Sequence, residues 1–154
     1  ELLRQKPLVQ GYFNDQIFTK MPNEEGWLAP YYSGDGSIMM YGEDGNENIG
    51  YFVPEQGTNF FVDAMCVTKD TKHKAEAEAY INFLCRTDVA KANAEYLGYS
   101  TPQTEARKQL DPTVGENPVF YPPASIMEKT QVFLTLPAET NKLMDDLWIK
   151  LKSK

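Results

Sequence analysis

The sequence predicts an α/β class, and three observations carry that reading. Short apolar runs alternate along the chain with stretches of helical period. Ten glycines and ten prolines punctuate those stretches and do not gather into a linker. No internal repeat or low-complexity tract interrupts the alternation. At 154 residues the length suits one domain able to bury a core.

Each element follows from local signals. Phe13, Ile17, Phe18 and Met21 recur at helical spacing, and Pro22-Asn23 ends that helix. Trp27-Leu28-Ala29-Pro30 reads as a short apolar strand leading into Tyr31-Tyr32-Ser33-Gly34-Asp35, with Ser33 capping a helix through Met39 and Met40. A Gly- and Asp-rich surface loop from Gly42 to Asn48 follows. Ile49 to Pro54 and Asn59 to Thr68 are strand-like. In the second, Phe60, Val62, Ala64 and Cys66 face one side and Phe61, Asp63, Met65 and Val67 the other, the pattern of a buried central strand broken only by Asp63. Residues from about 73 to 86 form a helix with Ala75, Ala79, Tyr80, Phe83 and Leu84 turned inward. Thr87-Asp88 opens another that runs to Leu97 and closes on Gly98 as a left-handed cap. Thr101-Pro102 reads as a cap followed by proline in the first helical position. Asp111-Pro112, Pro122-Pro123 and Pro137 mark further short elements. The last helix carries Leu143, Leu147 and Leu151 on one stripe, with Trp148 beside it.

Composition then narrows the chemistry. Fifteen basic against 22 acidic side chains leave a net charge of −7, which argues against nucleic acid as a partner and leans weakly towards a cationic ligand. With His73 alone and two cysteines, a zinc site would need carboxylates in place of the usual ligands, so no metal is expected. The 42–47 loop lacks the spacing of a calcium-binding hand, and no glycine-rich phosphate loop or Rossmann fingerprint calls for a cofactor. No nucleophile motif appears; Asp35 and Asp63 form only a formal pair for hydrolysis, and the chain is expected not to be an enzyme. Cys66 and Cys85 read as two buried free thiols or as one disulfide. No run of about eighteen apolar residues occurs. The start, Glu1 to Pro7, lacks the apolar core of a secretion signal and reads as the beginning of a mature product or an excised piece.

Two constellations could hold a ligand. Phe61 and Asp63, two apart on a strand, project to the same side, where a ring face and a carboxylate suit an amine. The alternative is that Asp63 pairs with a structural lysine or caps a turn. Tyr32 and Asp35 repeat the pairing of ring and carboxylate where a strand meets a helix, although an ordinary turn with a stacked tyrosine has the same composition.

From Lys6 to Lys154 the chain resembles the substrate-binding proteins of bacterial spermidine/putrescine ABC transporters. The marks run in order: Tyr32-Ser33-Gly34-Asp35, Phe52-Val53-Pro54-Glu55-Gln56-Gly57, Asn59-Phe60-Phe61-Val62-Asp63, Ala79-Tyr80-Ile81-Asn82-Phe83-Leu84, Asp88-Val89-Ala90, Gly98-Tyr99-Ser100-Thr101-Pro102, and Glu116-Asn117-Pro118-Val119-Phe120-Tyr121-Pro122-Pro123. Each is weak alone, and their order and spacing make them strong together. The resemblance implies an α/β, type II periplasmic-binding-protein-like fold, incomplete here as the C-terminal half of two lobes closing on a polyamine. Tyr32 falls where the family usually has a tryptophan stacking on the ligand. Phe61 and Tyr99 match further rings, and Asp63 matches a carboxylate holding an amino group. Asp35 corresponds to an aspartate of putrescine-preferring members, without deciding between putrescine and spermidine. Asn14 falls near a small polar cleft residue, and Phe133 where some members present a glutamine. In the family's layout residues 1–58 and 107–154 belong to the C-terminal lobe, and residues 59–106 cross to the N-terminal lobe. Implied partners are the polyamine, the membrane permease of an ABC transporter, and the missing N-terminal half or a swapped copy. Such a receptor works in the periplasm or on the outer face of the cytoplasmic membrane, in some cases lipid-anchored.

Overall fold

The computed structural model describes residues 1–153. Among the described residues nine α-helices and two very short strands follow one another: α1 (Leu2–Gln5), a 3-10 turn (Lys6–Leu8), α2 (Ile17–Lys20), α3 (Ser33–Tyr41), β1 (Asn59–Phe60), α4 (Lys74–Leu84), α5 (Thr87–Leu97), α6 (Thr104–Arg107), α7 (Pro112–Gly115), α8 (Ala124–Met127), β2 (Gln131–Val132) and α9 (Ala138–Ser153).

Helices form where local signals are complete. α5 ends on Gly98 at φ +72°, a conformation that side chains with a Cβ resist, and the Gly98 amide donates to the Ala94 carbonyl at 3.0 Å. α7 opens on Asp111, whose carboxylate accepts from the Thr113 amide at 2.9 Å, with Pro112 in the first turn. Other boundaries differ from the sequence reading. α3 begins at Ser33, so Tyr32 and not Ser33 is the capping residue, with no side-chain cap bond. The helix expected after Thr101-Pro102 begins at Thr104, because the Gln103 side chain accepts from the Ala106 amide at 2.6 Å and caps it there.

The strands depart furthest from expectation. Residues 27–30 and 49–54 form none, and of 59–68 only Asn59–Phe60 pairs, in parallel with Gln131–Val132. A strand is defined by the ladder its neighbours supply, and a parallel pair is stable mainly inside a covered sheet. Among the described residues no further strand stands beside these two. Val62, Met65 and Asp63, expected in a buried strand, are exposed.

The core is correspondingly small. It consists of Met39 and Met40 of α3, Ala90 and Ala94 of α5, Ala106 of α6, with Leu110, Phe120 and Leu151. α5 packs against α3, α4 and α6. The far end of α9 is tied to the start of the chain: Lys6 Nζ donates to the Leu151 carbonyl at 2.7 Å, and the Tyr12 and Trp148 rings meet edge to face. The inward faces expected of residues 73–86 and of α9 are largely open, with Tyr80, Phe83, Leu143 and Leu147 exposed. The chain exposes 12344 Å², against roughly 7,900 Å² for a compact protein of its 17.5 kDa. Both cysteines are free thiols, and both are exposed, not buried as expected, because the segments carrying them lie outside that core.

Candidate functional site

The site is assembled at the first turn of α3. Gly34 and Gly36, both buried there, let two tyrosine rings approach the helix backbone. A Cβ at Gly34 would overlap the Tyr99 ring, and one at Gly36 would stand 2.5 Å from a ring carbon of Tyr51. Gly98, which closes α5, lies against the Gly34 carbonyl and so delivers Tyr99 to this turn.

Around that turn the structure collects five of the six residues expected from sequence. Tyr99 donates its phenolic hydrogen to Asp35 Oδ1 at 3.1 Å. Tyr32 meets Phe61 edge to face, with ring centroids 5.5 Å apart at 74°. Tyr31 lies against Tyr32 at 5.3 Å. Asp63 lies close enough to Tyr99 for its charge to act on the phenol. Asn14 stands apart from this contact network: it is exposed in the turn before α2, where its backbone carbonyl accepts from the Ile17 amide at 3.0 Å.

Electrostatically the cluster is anionic with rings between the charges. Burial above all, then the bond to Asp35 and the charges of Asp35 and Asp63, push the Tyr99 phenol well above its usual value. Burial also raises Tyr31, followed by the charges of Asp35 and Asp15. Asp15 is thus a third carboxylate near the cluster that the sequence reading passed over; its only signal was its place beside Asn14. Among the described residues no lysine or arginine forms an ion pair with Asp15, Asp35 or Asp63, so the structural-lysine alternative for Asp63 is not realised. The cost first assigned to burying Asp63 does not arise either, since the side chain is exposed.

The cluster can therefore offer aromatic faces and unpaired carboxylates to a cation. A cavity of about 500 Å³ lies elsewhere, against β1 and β2. Val132, Phe133, Leu134 and Leu136 line it together with Lys129 and no carboxylate, a poor match for a cationic ligand. Phe133 belongs to that groove and is mostly exposed. Among the described residues no group of histidine, cysteine or carboxylate side chains could hold a metal ion, and no helix is long and apolar enough to cross a membrane.

The partial α/β scaffold thus carries an open cluster of rings and carboxylates at the first turn of α3. The chain belongs to the bacterial extracellular solute-binding protein family, whose pattern matches residues 10–121. The putrescine-binding periplasmic protein PotF of Escherichia coli (strain K12) is 25% identical over 155 residues, covering 99% of this chain and 42% of that protein. The spermidine/putrescine-binding periplasmic protein of the same organism is 41% identical over 114 residues, covering 69% of this chain and 32% of its own length. The structure of the spermidine/putrescine ABC transporter substrate-binding protein PotD from Streptococcus pneumoniae strain Canada MDR_19A, in complex with calcium and HEPES, aligns with a TM-score of 0.87 and 30% identity. That alignment covers 99% of this chain and 46% of the other. The chain thus spans less than half the length of these relatives, and its architecture is a partial periplasmic-binding-protein fold. These relatives are binding proteins and not enzymes, as expected for this chain from its lack of a catalytic motif.

Proposed function

We propose that this chain contributes to binding a polyamine, putrescine or spermidine, in the extracytoplasmic receptor of an ABC importer. The observation that carries the reading is the convergence of Tyr32, Asp35, Phe61, Asp63 and Tyr99 around one helix turn, with no basic partner for either carboxylate among the described residues. A polyamine presents protonated amines separated by apolar methylenes, so its complement is carboxylates at intervals with rings between them. Charge-assisted hydrogen bonds contribute roughly 1.5–3 kcal/mol each and cation–π contacts roughly 0.5–2, against about −8 kcal/mol needed for micromolar affinity. The ligands for which the relatives are named, putrescine and spermidine, support the same class. Asp63 and Asp35 each accept an amino group, Tyr32, Phe61 and Tyr99 flank the methylenes, and Asn14 supplies a peripheral polar contact. Residues 1–58 and 107–154 form part of one lobe and 59–106 the crossing segment; the packing of α5 against α4 and α6 supports grouping the latter. The importer's permease is the membrane partner, and a lipid anchor is compatible with this placement outside the cytoplasmic membrane.

Titration calorimetry with putrescine and spermidine tests the reading. Heat saturating at one equivalent supports it, and no heat with either ligand up to millimolar concentration overturns it for this chain. The exposed apolar faces of α4 and α9 favour a second reading, in which the chain binds a complementary polypeptide (the N-terminal half or a swapped copy) and no ligand alone. Absence of polyamine heat together with self-association in light scattering would support that one instead.

A further inference from the structure

We propose that Tyr51 is a positioning residue, whose hydroxyl and ring hold the Tyr31–Tyr32 peptide and the first turn of α3 so that Tyr32 and Asp35 face Phe61 and Tyr99. Tyr51 stands outside any helix or strand, on the segment between the acidic loop and β1, and is half-buried. Its hydroxyl donates to the Tyr31 carbonyl at 2.9 Å. That carbonyl and the Tyr32 amide belong to one rigid peptide plane, so the bond fixes the direction from which the Tyr32 ring departs. The next carbonyl, that of Tyr32, accepts from the Gly36 amide at 2.9 Å and starts the helix. The Tyr51 ring lies against Gly36, while the Tyr99 ring lies against Gly34. Two residues apart on a helix means about 200° of rotation, so the two rings grip the turn from nearly opposite sides. Tyr99 is also bonded to Asp35, and Tyr51 to the carbonyl that precedes Tyr32, so each ring secures one side of the turn.

The site it serves is the one assigned above to a polyamine, but its geometry can be read without a ligand. In the edge-to-face pair of Tyr32 and Phe61, protons of one ring stand over the face of the other and resonate upfield in NMR spectra. In Tyr51→Phe of this chain, that upfield displacement should fall by about half while the Leu151 methyl signals, at the α9 anchor, stay in place. A purely structural role would lower the melting temperature and leave the ring-pair signals unmoved, and that result overturns the proposal. Gly36→Ala keeps the hydroxyl and displaces the Tyr51 ring; it should move the same signals, and serves if Tyr51→Phe does not fold. Unmoved ring-pair signals in a folded Gly36→Ala protein overturn the proposal equally. In calorimetry, Tyr51→Phe should weaken putrescine binding about threefold to tenfold, the effect of one ordinary hydrogen bond. Ring signals that respond while neither protein binds polyamine would support the positioning role and refute the polyamine reading. Putrescine affinity unchanged in a binding-competent protein would count against Tyr51.

Discussion

At the scale of single residues, Asp63 carries the sharpest expectation. Its carboxylate is exposed and has no basic partner among the described residues, so Asp63→Asn should leave stability nearly unchanged and weaken putrescine binding about tenfold to a hundredfold by calorimetry, the range of one charge-assisted hydrogen bond. Gly34→Ala should do comparable damage by another route, since the added methyl overlaps the Tyr99 ring; a crystal structure with Tyr99 in place would refute this. The phenols give a pH dependence of defined sign. Tyr31, Tyr51 and Tyr99 all lie above the usual 10.0, in each case chiefly through burial. A raised phenol contributes stability that is complete below the unfolded value and lost as pH rises towards the folded one. Stability should therefore fall from about pH 10 upward, and Tyr99→Phe should show a shallower fall in urea titrations across that window. Equal slopes for the two proteins would contradict it. Four of the five clustered residues were readable from sequence because ring and carboxylate sit within a few positions of each other in 32–35 and 61–63, whereas Tyr99 was pointed to only by the family resemblance. Asp15 and Tyr51 were not, because Tyr31, on which the Asp15 charge acts and to whose carbonyl the Tyr51 hydroxyl donates, is brought near them only by tertiary folding.

At the scale of elements, the division between what sequence reveals and what it conceals follows the range of the forces. α5 with Gly98, and α7 with Asp111-Pro112, end or begin on bonds made within four residues of the terminus, so the local sequence contains their whole cause. The strands expected at 27–30, 49–54 and 61–68 needed partners that no local pattern supplies, and apolar alternation alone did not make them. Gly98 joins element to site. A Cβ there meets a positive φ and approaches the Gly34 carbonyl at 3.0 Å. Gly98→Ala is expected to cost about 1 kcal/mol or more in urea unfolding and to weaken polyamine binding together with stability. Unaltered stability would show that this cap is not needed.

At the scale of the whole molecule, surface area is the governing quantity. A chain of 17.5 kDa that keeps 12344 Å² exposed buries only about half of its extended-chain surface, where a compact domain of this size buries about 70%. Trp27, Leu28, Phe133 and Leu134 contribute to that excess along with the open faces of α4 and α9. The chain should therefore bind an apolar dye and self-associate at micromolar concentration. A monomer in light scattering with no dye fluorescence would contradict this. Length by itself suggested a self-sufficient domain. The family resemblance suggested part of a larger one, and the thin core agrees with the latter.

The Tyr32–Phe61 contact has a consequence for ligand competition. With centroids 5.5 Å apart the two rings already occupy one another, so the site contains its own occupant. An edge-to-face pair is worth about 0.5–1.5 kcal/mol, and a ligand that must part the rings forfeits that amount, about twofold to tenfold in apparent affinity. On the proposed polyamine reading, the bonds of the ligand's amino groups to Asp35 and Asp63 would have to exceed that cost.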